Sequence, residues 1–280
     1  MLNRGQDFDT PLGPFPKQAS MVTSRLVVRD RYAILPAANL PRTAMPYWEK
    51  TNTYVFANPS IGYAASFAEY LLYVEPGGGT ERAEVEQAVE SFVFVLDGVL
   101  TVDTEGEQYV LRNGGFAYLP ADIPWSAGSL SNDIVRLIWI RKLYQPLEGH
   151  EPNRIVGNEA GISEDAISVY EDSLWNKHLI PSEDLAYDMN VNVMVFKPGA
   201  GLAMTEAHYM EHGLYMLSGK GLYFLGEEWH EVQAGDFIWM GPFCPQSFYA
   251  GGLVQSSYLL FKNVNRQFLL NPKANRRGAV

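Results

Sequence analysis

Apolar residues along this chain fall in short runs, roughly four to eight residues long, that are separated by Gly, Pro and Asn. Helical periodicity is weak in these runs, so the pattern predicts an all-β sandwich or barrel. The segments that predict strands most clearly are EYLLYVEPGGG, SFVFVLDGVLTV, GGFAYLPADIPW, VNVMVFKPGAG, GLYMLSGKGLYFL, DFIWMGPFCP and SSYLLFKN. Between the two sets of strands, roughly residues 145 to 180 have little strand character, and we predict a linker there.

The two halves of the chain contain an internal repeat. Two glycines stand 16 residues apart in each half, namely Gly98 and Gly114 in the first and Gly219 and Gly235 in the second. A strand ending in Pro-Gly, at Pro76 and at Pro198, precedes each pair. The glycines repeat at an offset of 121 residues and the Pro-Gly at 122, a difference that one loop residue explains. Three matches in the same order indicate a duplicated unit.

The order of these features is strand, tight glycine turn, strand, and then a glycine followed by an apolar strand that ends in proline. It resembles the cupin family, whose members are small double-sheet jelly rolls. Over roughly residues 60 to 270 the resemblance implies an all-β bicupin, with two double-stranded β-helix (jelly-roll) barrels in tandem. We place the N-terminal barrel and its N-terminal extension in residues 1–148, and the C-terminal barrel in residues 149–280.

Cupins hold a metal with side chains at fixed distances from these glycines. In the second half those places carry Glu206, His208, His212 and Gln246, all of which can coordinate a cation. On an extended strand Glu206 and His208 point to the same face, His212 can join them across a turn, and Gln246 arrives from another hairpin. Taken alone, the ExHxxxH pattern also fits exposed polar residues. Its coincidence with the ligand places of the family favours a metal site.

The equivalent places in the first half hold Val85, Gln87, Ser91 and Trp125. None is an imidazole, so we predict that the N-terminal barrel is metal-free and serves as a packing partner and an oligomer surface. For the C-terminal site, two histidines with oxygen ligands suit Mn²⁺, with Fe²⁺ or another divalent ion as alternatives, better than a closed thiolate zinc site. The single cysteine, Cys244, is interpreted as a buried filler rather than a nucleophile.

The phrases TEAHYMEHGLYMLSGKGLY and GPFCPQSFYA resemble the (S)-ureidoglycine aminohydrolases, manganese bicupins of purine catabolism and allantoin degradation. The resemblance implies hydrolysis of a small ureido substrate, (S)-ureidoglycine, to (S)-ureidoglycolate and ammonia. It also implies catalytic roles for Glu206, Tyr258 and Lys262. Substrate contacts are implied for the same three residues together with Tyr223 and Gln246.

The strand SSYLLFKN gives independent support for part of this assignment. Ser256, Tyr258, Leu260 and Lys262 alternate onto one face of the strand. If that face points into the barrel, the Lys262 ammonium can bind a substrate carboxylate and a tyrosine hydroxyl can orient a ureido or amino group. The alternatives are that the face points outward and Lys262 is solvated, and that Tyr223 is ordinary barrel packing.

Charge and composition limit the other function classes. The formal net charge is −11 and 47% of residues are hydrophobic, which predicts a globular protein without general affinity for nucleic acid or an anionic membrane. Neither a signal peptide nor a membrane-spanning stretch is visible, so we expect a cytoplasmic protein.

Antiparallel edge strands and a metal-free barrel favour a homo-oligomer. The alternative functions are a metal-dependent cupin dioxygenase or isomerase acting on another small polar substrate, and a binding cupin without turnover.

Overall fold

A computed structural model describes residues 25–63, 65–166 and 173–263, and within these ranges the regular structure is strands and two short 3-10 turns. The first ten strands are β1 (Val27–Val28), β2 (Tyr32–Pro36), β3 (Glu49–Ala57), β4 (Phe67–Thr80), β5 (Val89–Asp97), β6 (Leu100–Thr104), β7 (Glu107–Leu111), β8 (Gly115–Leu119), β9 (Trp125–Ser129) and β10 (Val135–Leu143). The other ten are β11 (Ile155–Asn158), β12 (Asp165–Ala166), β13 (Leu174–His178), β14 (Asn190–Phe196), β15 (His212–Ser218), β16 (Lys220–Leu225), β17 (Glu228–Gln233), β18 (Asp236–Met240), β19 (Gln246–Gly251) and β20 (Ser256–Lys262). No helix in the described ranges has the length and apolar character needed to cross a membrane.

Two barrels follow each other along the chain, which confirms the all-β bicupin prediction. The first is a nine-stranded sheet in the order β11-β8-β5-β10-β4-β9-β6-β7, with β3 paired to β4. The second combines an eight-stranded sheet, in the order β1-β2-β18-β15-β20-β14-β13-β12, with a three-stranded sheet, in the order β17-β16-β19.

Three apolar cores account for the packing. One fills the first barrel, one fills the second, and the largest lies between the barrels. In the core between the barrels the rings of Phe67 and Phe261 lie 4.3 Å apart, and Phe56 stacks on Phe237 at 4.8 Å. Each main sheet is therefore buried on both faces, which explains why its strands read as nearly continuous apolar runs.

Strands are exchanged across the predicted division at residue 148. The β1–β2 hairpin precedes the first barrel in sequence but pairs with β18 of the second. Strand β11 follows residue 148 but pairs with β8 of the first barrel. The boundary between residues 1–148 and 149–280 stays a prediction, and the strands do not sort completely by it.

Roughly residues 145 to 180, predicted as a linker with little strand character, contain the three short strands β11, β12 and β13, so the segment is more than a linker. These strands are short and their side chains are mostly partly buried or exposed. Each adds to a strand that is already in place: β11 pairs with β8, and β13 pairs with β14. The main-chain hydrogen bonds come from the partner strand, so the local sequence carries little strand signal.

The backbone conformation at two turns of the repeat requires glycine. Gly98 and Gly219 have φ angles of 88° and 73°, a region that residues with a side chain rarely adopt. A Cβ on Gly219 would also lie 2.4 Å from the Ser256 Oγ, and one on Gly98 would lie 3.0 Å from the Val135 Cα. Glycine is required at both turns, which makes the repeat readable in the sequence.

Candidate metal centre

Two imidazoles and a carboxamide converge in the C-terminal barrel. The Nε2 atoms of His208 and His212 lie 3.2 Å apart, and the side-chain amide of Gln246 lies 3.0 Å from the His208 Nε2. The two rings are nearly perpendicular, with centroids 4.6 Å apart. His212 and Gln246 are buried, whereas His208 is partly buried. The three groups thus surround one point at the edge of the barrel interior.

The strand register explains how these groups meet. His212 is the first residue of β15 and lies opposite Lys262 of β20 on one side and Met240 of β18 on the other. It shares its strand face with Leu214, which belongs to the core of the second barrel. Gln246 is the first residue of β19 and reaches the same interior from the smaller sheet.

Glu206 reaches the site through its backbone. Its N–H donates to the Gln246 carbonyl at 2.8 Å, and the Gln246 N–H donates to the Glu206 carbonyl at 2.9 Å. The expectation that Glu206 and His208 share an extended strand was wrong: this segment is irregular, and Glu206 forms an isolated bridge with Gln246. The Glu206 side chain is exposed at the rim, so its role as a metal ligand stays a prediction.

Burial holds both histidines in the neutral form. Burial lowers the pKa of His212 well below its usual value, and the neighbouring His208 and Lys262 lower it further. The pKa of His208 is also lowered by burial, and Lys262 adds to this effect while the Glu206 charge opposes it. Neutral imidazole is the form that binds a metal ion.

The donor set fits a divalent cation. Two nitrogen ligands that share a cation at about 2.1 Å lie about 3 Å apart, which matches the spacing of the two Nε2 atoms. Across the three described ranges, no three His, Cys, Asp or Glu side chains group closely enough to hold a metal without other help. The Gln246 atom that lies 3.0 Å from the His208 Nε2 is its Nε2, so a ligand role for Gln246 requires the opposite orientation of the amide and stays a prediction.

Three further side chains predicted to contact substrate lie in or beside this interior. Tyr223 and Tyr258 are buried, and their hydroxyl groups influence each other's pKa. Burial raises the pKa of both tyrosines, so both remain protonated at neutral pH. The Tyr258 hydroxyl donates to the Met194 Sδ at 3.2 Å. Tyr223 packs against Phe248 at 5.4 Å as well, so its packing role and its interaction with Tyr258 coexist.

Lys262 lies on the inward face of β20. Tyr258 and Leu260, which share this face, belong to the core of the second barrel, whereas Leu259 and Phe261 belong to the core between the barrels. Burial lowers the pKa of Lys262, and the charge of Glu206 acts in the opposite direction. The side chain is therefore partly buried, and its charge interacts with that of Glu206.

The N-terminal barrel has no equivalent cluster among the residues that the structure describes. Ser91 accepts a hydrogen bond from the Trp139 Nε1 at 3.2 Å. Trp125 packs edge-on against Trp139 at 5.8 Å, and Trp48 lies 5.5 Å from the same ring. The other two equivalent positions, Val85 and Gln87, are exposed. Tryptophan rings thus fill the interior that holds polar side chains in the second barrel.

Two residues beside the site were not identified from the sequence. Glu211 and Asn263 directly flank His212 and Lys262, and both are buried in a shared hydrogen-bond network. The internal repeat could have identified Glu211, because Glu90 stands 121 residues before it, at the equivalent position of the first half. Cys244 is a free, buried thiol whose pKa is raised by burial, as a filler role requires.

Comparisons with known proteins agree with this architecture. A family model described as "Cupin domain" matches residues 70–141. A probable (S)-ureidoglycine aminohydrolase of Oryza sativa subsp. japonica is 36% identical over 89% of this chain and 77% of its own length. The (S)-ureidoglycine aminohydrolase of Arabidopsis thaliana is 33% identical over 87% and 79%. The crystal structure of a putative glyoxylate-induced protein from Pseudomonas aeruginosa is 34% identical, with a TM-score of 0.82, and covers 89% of this chain and 94% of that one.

Proposed function

The chain belongs to the (S)-ureidoglycine aminohydrolase family, and we propose that it hydrolyses (S)-ureidoglycine to (S)-ureidoglycolate and ammonia at the mouth of its C-terminal barrel. The observation that carries this proposal is the convergence of His208, His212 and Gln246 within 3.2 Å, beside an inward-facing lysine. The reaction serves purine catabolism.

A divalent cation completes the proposed site. His208, His212 and Gln246 would hold it, and the Glu206 carboxylate would close the set from the rim. Neutral nitrogen and amide oxygen donors together with one carboxylate favour Mn²⁺, with Fe²⁺ as the alternative. The bound ion supplies Lewis-acid polarisation and a fixed point of attachment for the substrate. A homo-oligomeric assembly and a cytoplasmic location are further parts of the proposal.

The substrate carries a carboxylate, an amino group and a ureido group on one tetrahedral carbon. The Lys262 ammonium binds the carboxylate through a charge-assisted hydrogen bond. The hydroxyls of Tyr223 and Tyr258 remain protonated because burial raises their pKa, so they act as neutral donors that orient the ureido or amino group. Together these contacts present one face of the reacting carbon to the rim.

Hydrolysis then exchanges ammonia for water. The lone pair of the ureido nitrogen forms a C=N bond as the bond from carbon to the amino group breaks, and ammonia departs. Water adds to the resulting imine on the face that the binding contacts leave open, which sets the S configuration. Glu206 first gives a proton to the leaving amine and then takes one from the attacking water, which returns it to its starting form, a role worth about 10²–10⁴ in rate.

An ammonia assay on freshly generated (S)-ureidoglycine under anaerobic conditions tests this function. We expect stoichiometric ammonia and ureidoglycolate, loss of activity after chelation, and recovery when Mn²⁺ is added back. Turnover that requires O₂, or a product that retains the nitrogen, would instead identify a dioxygenase or an isomerase. Glu206→Gln is the variant that tests proton transfer, and full turnover by this variant with metal bound would remove that role.

A further inference from the structure

Two buried carboxylates occupy equivalent positions behind the two barrel interiors. Glu90 and Glu211 stand 121 residues apart, and each directly precedes the place of the third metal ligand, Ser91 in the first barrel and His212 in the second. Glu90 is fully buried and Glu211 is 2% exposed. Neither is used by the reaction proposed above.

Both carboxylates point away from their own barrel. In β15, Leu214 belongs to the core of the second barrel, whereas Tyr215 belongs to the core between the barrels. The alternation continues backwards, so His212 shares the face of Leu214 and Glu211 shares the face of Tyr215. The metal ligand and the carboxylate therefore lie on opposite faces of the same sheet.

Each carboxylate is held by donors that also match across the repeat. The Tyr118 hydroxyl donates to the Glu90 Oε2 at 2.6 Å, and the Trp239 Nε1, 121 positions later, donates to the Glu211 Oε1 at 2.6 Å. The next pair is Lys142 and Asn263. The Lys142 Nζ lies 3.7 Å from Glu90, and the Asn263 Nδ2 donates to Glu211 at 3.3 Å. Each carboxylate and its two partners form what we call a frame: Glu90 with Tyr118 and Lys142, and Glu211 with Trp239 and Asn263. The frame was thus duplicated with the barrel.

The opposite barrel completes each frame. At Glu211 the partner is Ser66 of the first barrel, whose backbone N–H lies 3.1 Å from both carboxylate oxygens and whose hydroxyl donates to the Oε2. The Ser66 Oγ in turn accepts a hydrogen bond from the Asn263 Nδ2 at 3.0 Å. In the frame of Glu90 the partner is Asp188, which binds Lys142 at 2.5 Å.

The Glu211 frame is tied to the reacting side chains through the backbone. The Glu211 N–H donates to the Asn263 Oδ1 at 3.2 Å, and the Asn263 N–H donates to the Glu211 carbonyl at 3.2 Å. The neighbouring residues, His212 after Glu211 and Lys262 before Asn263, lie opposite each other in the antiparallel register of β15 and β20. A shift of Glu211 against Asn263 would therefore change the spacing of a proposed metal ligand and the cation proposed to bind substrate.

We propose that Ser66, Glu211 and Asn263 form a positioning clamp through which the metal-free barrel sets the geometry of the metal site in the other barrel. This inference rests on the proposed function of His208, His212 and Gln246. It gives the first barrel a role in the reaction beyond packing. The frame of Glu90 has the same architecture behind a barrel without ligands, and so provides a matched control within the chain.

The test is a titration of Mn²⁺ into chelator-treated full-length protein, with free ion followed by electron paramagnetic resonance. Wild type is compared with Ser66→Ala, Glu211→Gln, the conservative Ser66→Thr and the control Tyr118→Phe. We expect Ser66→Ala and Glu211→Gln to raise the Kd for Mn²⁺ by about 10-fold or more, as loss of groups that orient metal ligands does. Ser66→Thr restores the hydroxyl and should restore the affinity.

Tyr118→Phe removes the equivalent hydrogen bond in the first barrel, and we expect it to lower the melting temperature without changing the Kd. If Ser66→Ala and Glu211→Gln lower only the melting temperature, the clamp merely joins the barrels and the inference is overturned. If Glu211→Gln fails to fold, the comparison of Ser66→Ala with Ser66→Thr tests the inference by itself. Absence of Mn²⁺ binding by the wild type would overturn the proposed metal site and the inference together. Normal Mn²⁺ binding by the wild type and by all variants would overturn the inference alone.

Discussion

Gln246 and Trp125 are the first residues of equivalent strands in the two barrels, 121 positions apart, and they face opposite kinds of surroundings. The Gln246 amide lies 3.0 Å from the His208 Nε2, whereas the Trp125 ring packs edge-on against Trp139 at 5.8 Å. The same backbone position thus presents a polar amide beside an imidazole in one barrel and an apolar ring in the other.

The tryptophan cluster of the first barrel should be purely structural. We expect Trp125→Ala to lower the free energy of unfolding by about 3–5 kcal/mol, because it leaves a cavity beside Trp48 and Trp139. The metal content of the folded variant should equal that of the wild type. Urea denaturation and elemental analysis measure the two effects, and loss of metal from the folded variant would argue for a cation in the first barrel.

The histidine pair should control metal retention. We expect His212→Ala to weaken binding of Mn²⁺ by more than about 100-fold, the upper end of the cost of removing a group that only orients a ligand. His150 is exposed, so His150→Ala is a suitable control and should bind metal normally. Competition with a chelator of known affinity gives both constants. Equal affinities for the two variants would show that the cation binds elsewhere.

Lys262 should contribute mainly to substrate binding. Lys262→Met keeps an unbranched apolar side chain but removes the charge, and we expect kcat/KM to fall by about 10–100-fold, as loss of a hydrogen bond to a charged group of about 1.5–3 kcal/mol implies. Lys262→Arg keeps the positive charge and should retain more activity. Metal content should be unchanged in both variants. Steady-state ammonia release measures the expected order of activity, which is wild type, then Lys262→Arg, then Lys262→Met. Equal activity of Lys262→Met and the wild type would contradict a role of Lys262 in substrate binding.

Glu69 should make the stability depend on pH. Burial raises its pKa to about 8, and its Oε2 has no hydrogen-bond partner among the described residues. Between about pH 4.5 and about pH 8 the folded state keeps a proton that the unfolded chain has lost, so the free energy of unfolding falls as the pH rises through this window. Glu69→Gln removes the titration and keeps the shape. We expect it to be more stable than wild type near pH 8, with the difference disappearing towards about pH 4.5.

Urea denaturation of wild type and Glu69→Gln at several pH values measures this dependence. Two stability curves that stay parallel from about pH 4.5 to about pH 8 would contradict a raised pKa for this carboxyl.

The parts of the fold that were readable from the sequence are those with local causes. Gly98 and Gly219 are fixed by positive φ angles, and the spacing from Gly219 leads to His208 and His212. The alternation in β20 was sufficient to place Lys262 on the same face as Tyr258. These features depend on the backbone conformation of a few neighbouring residues, which a single sequence records.

Features that depend on distant partners were not readable. Strand β11 exists because β8 offers an edge, and Glu206 lies in an irregular segment fixed by a bridge to Gln246. The contact between Ser66 and Glu211 joins residues 145 positions apart, and neither residue type predicts it. Such contacts follow from the relative placement of two barrels, which local periodicity does not encode.

The most direct measurement is a crystal structure of the Mn²⁺-loaded protein with anomalous diffraction data collected at the manganese absorption edge. We expect one strong peak per chain, about 2.2 Å from the Nε2 atoms of His208 and His212, with an oxygen of Gln246 and the carboxylate of Glu206 completing the shell. A peak beside Trp125, or a Gln246 side chain turned away from an ion bound by the two histidines, would contradict it.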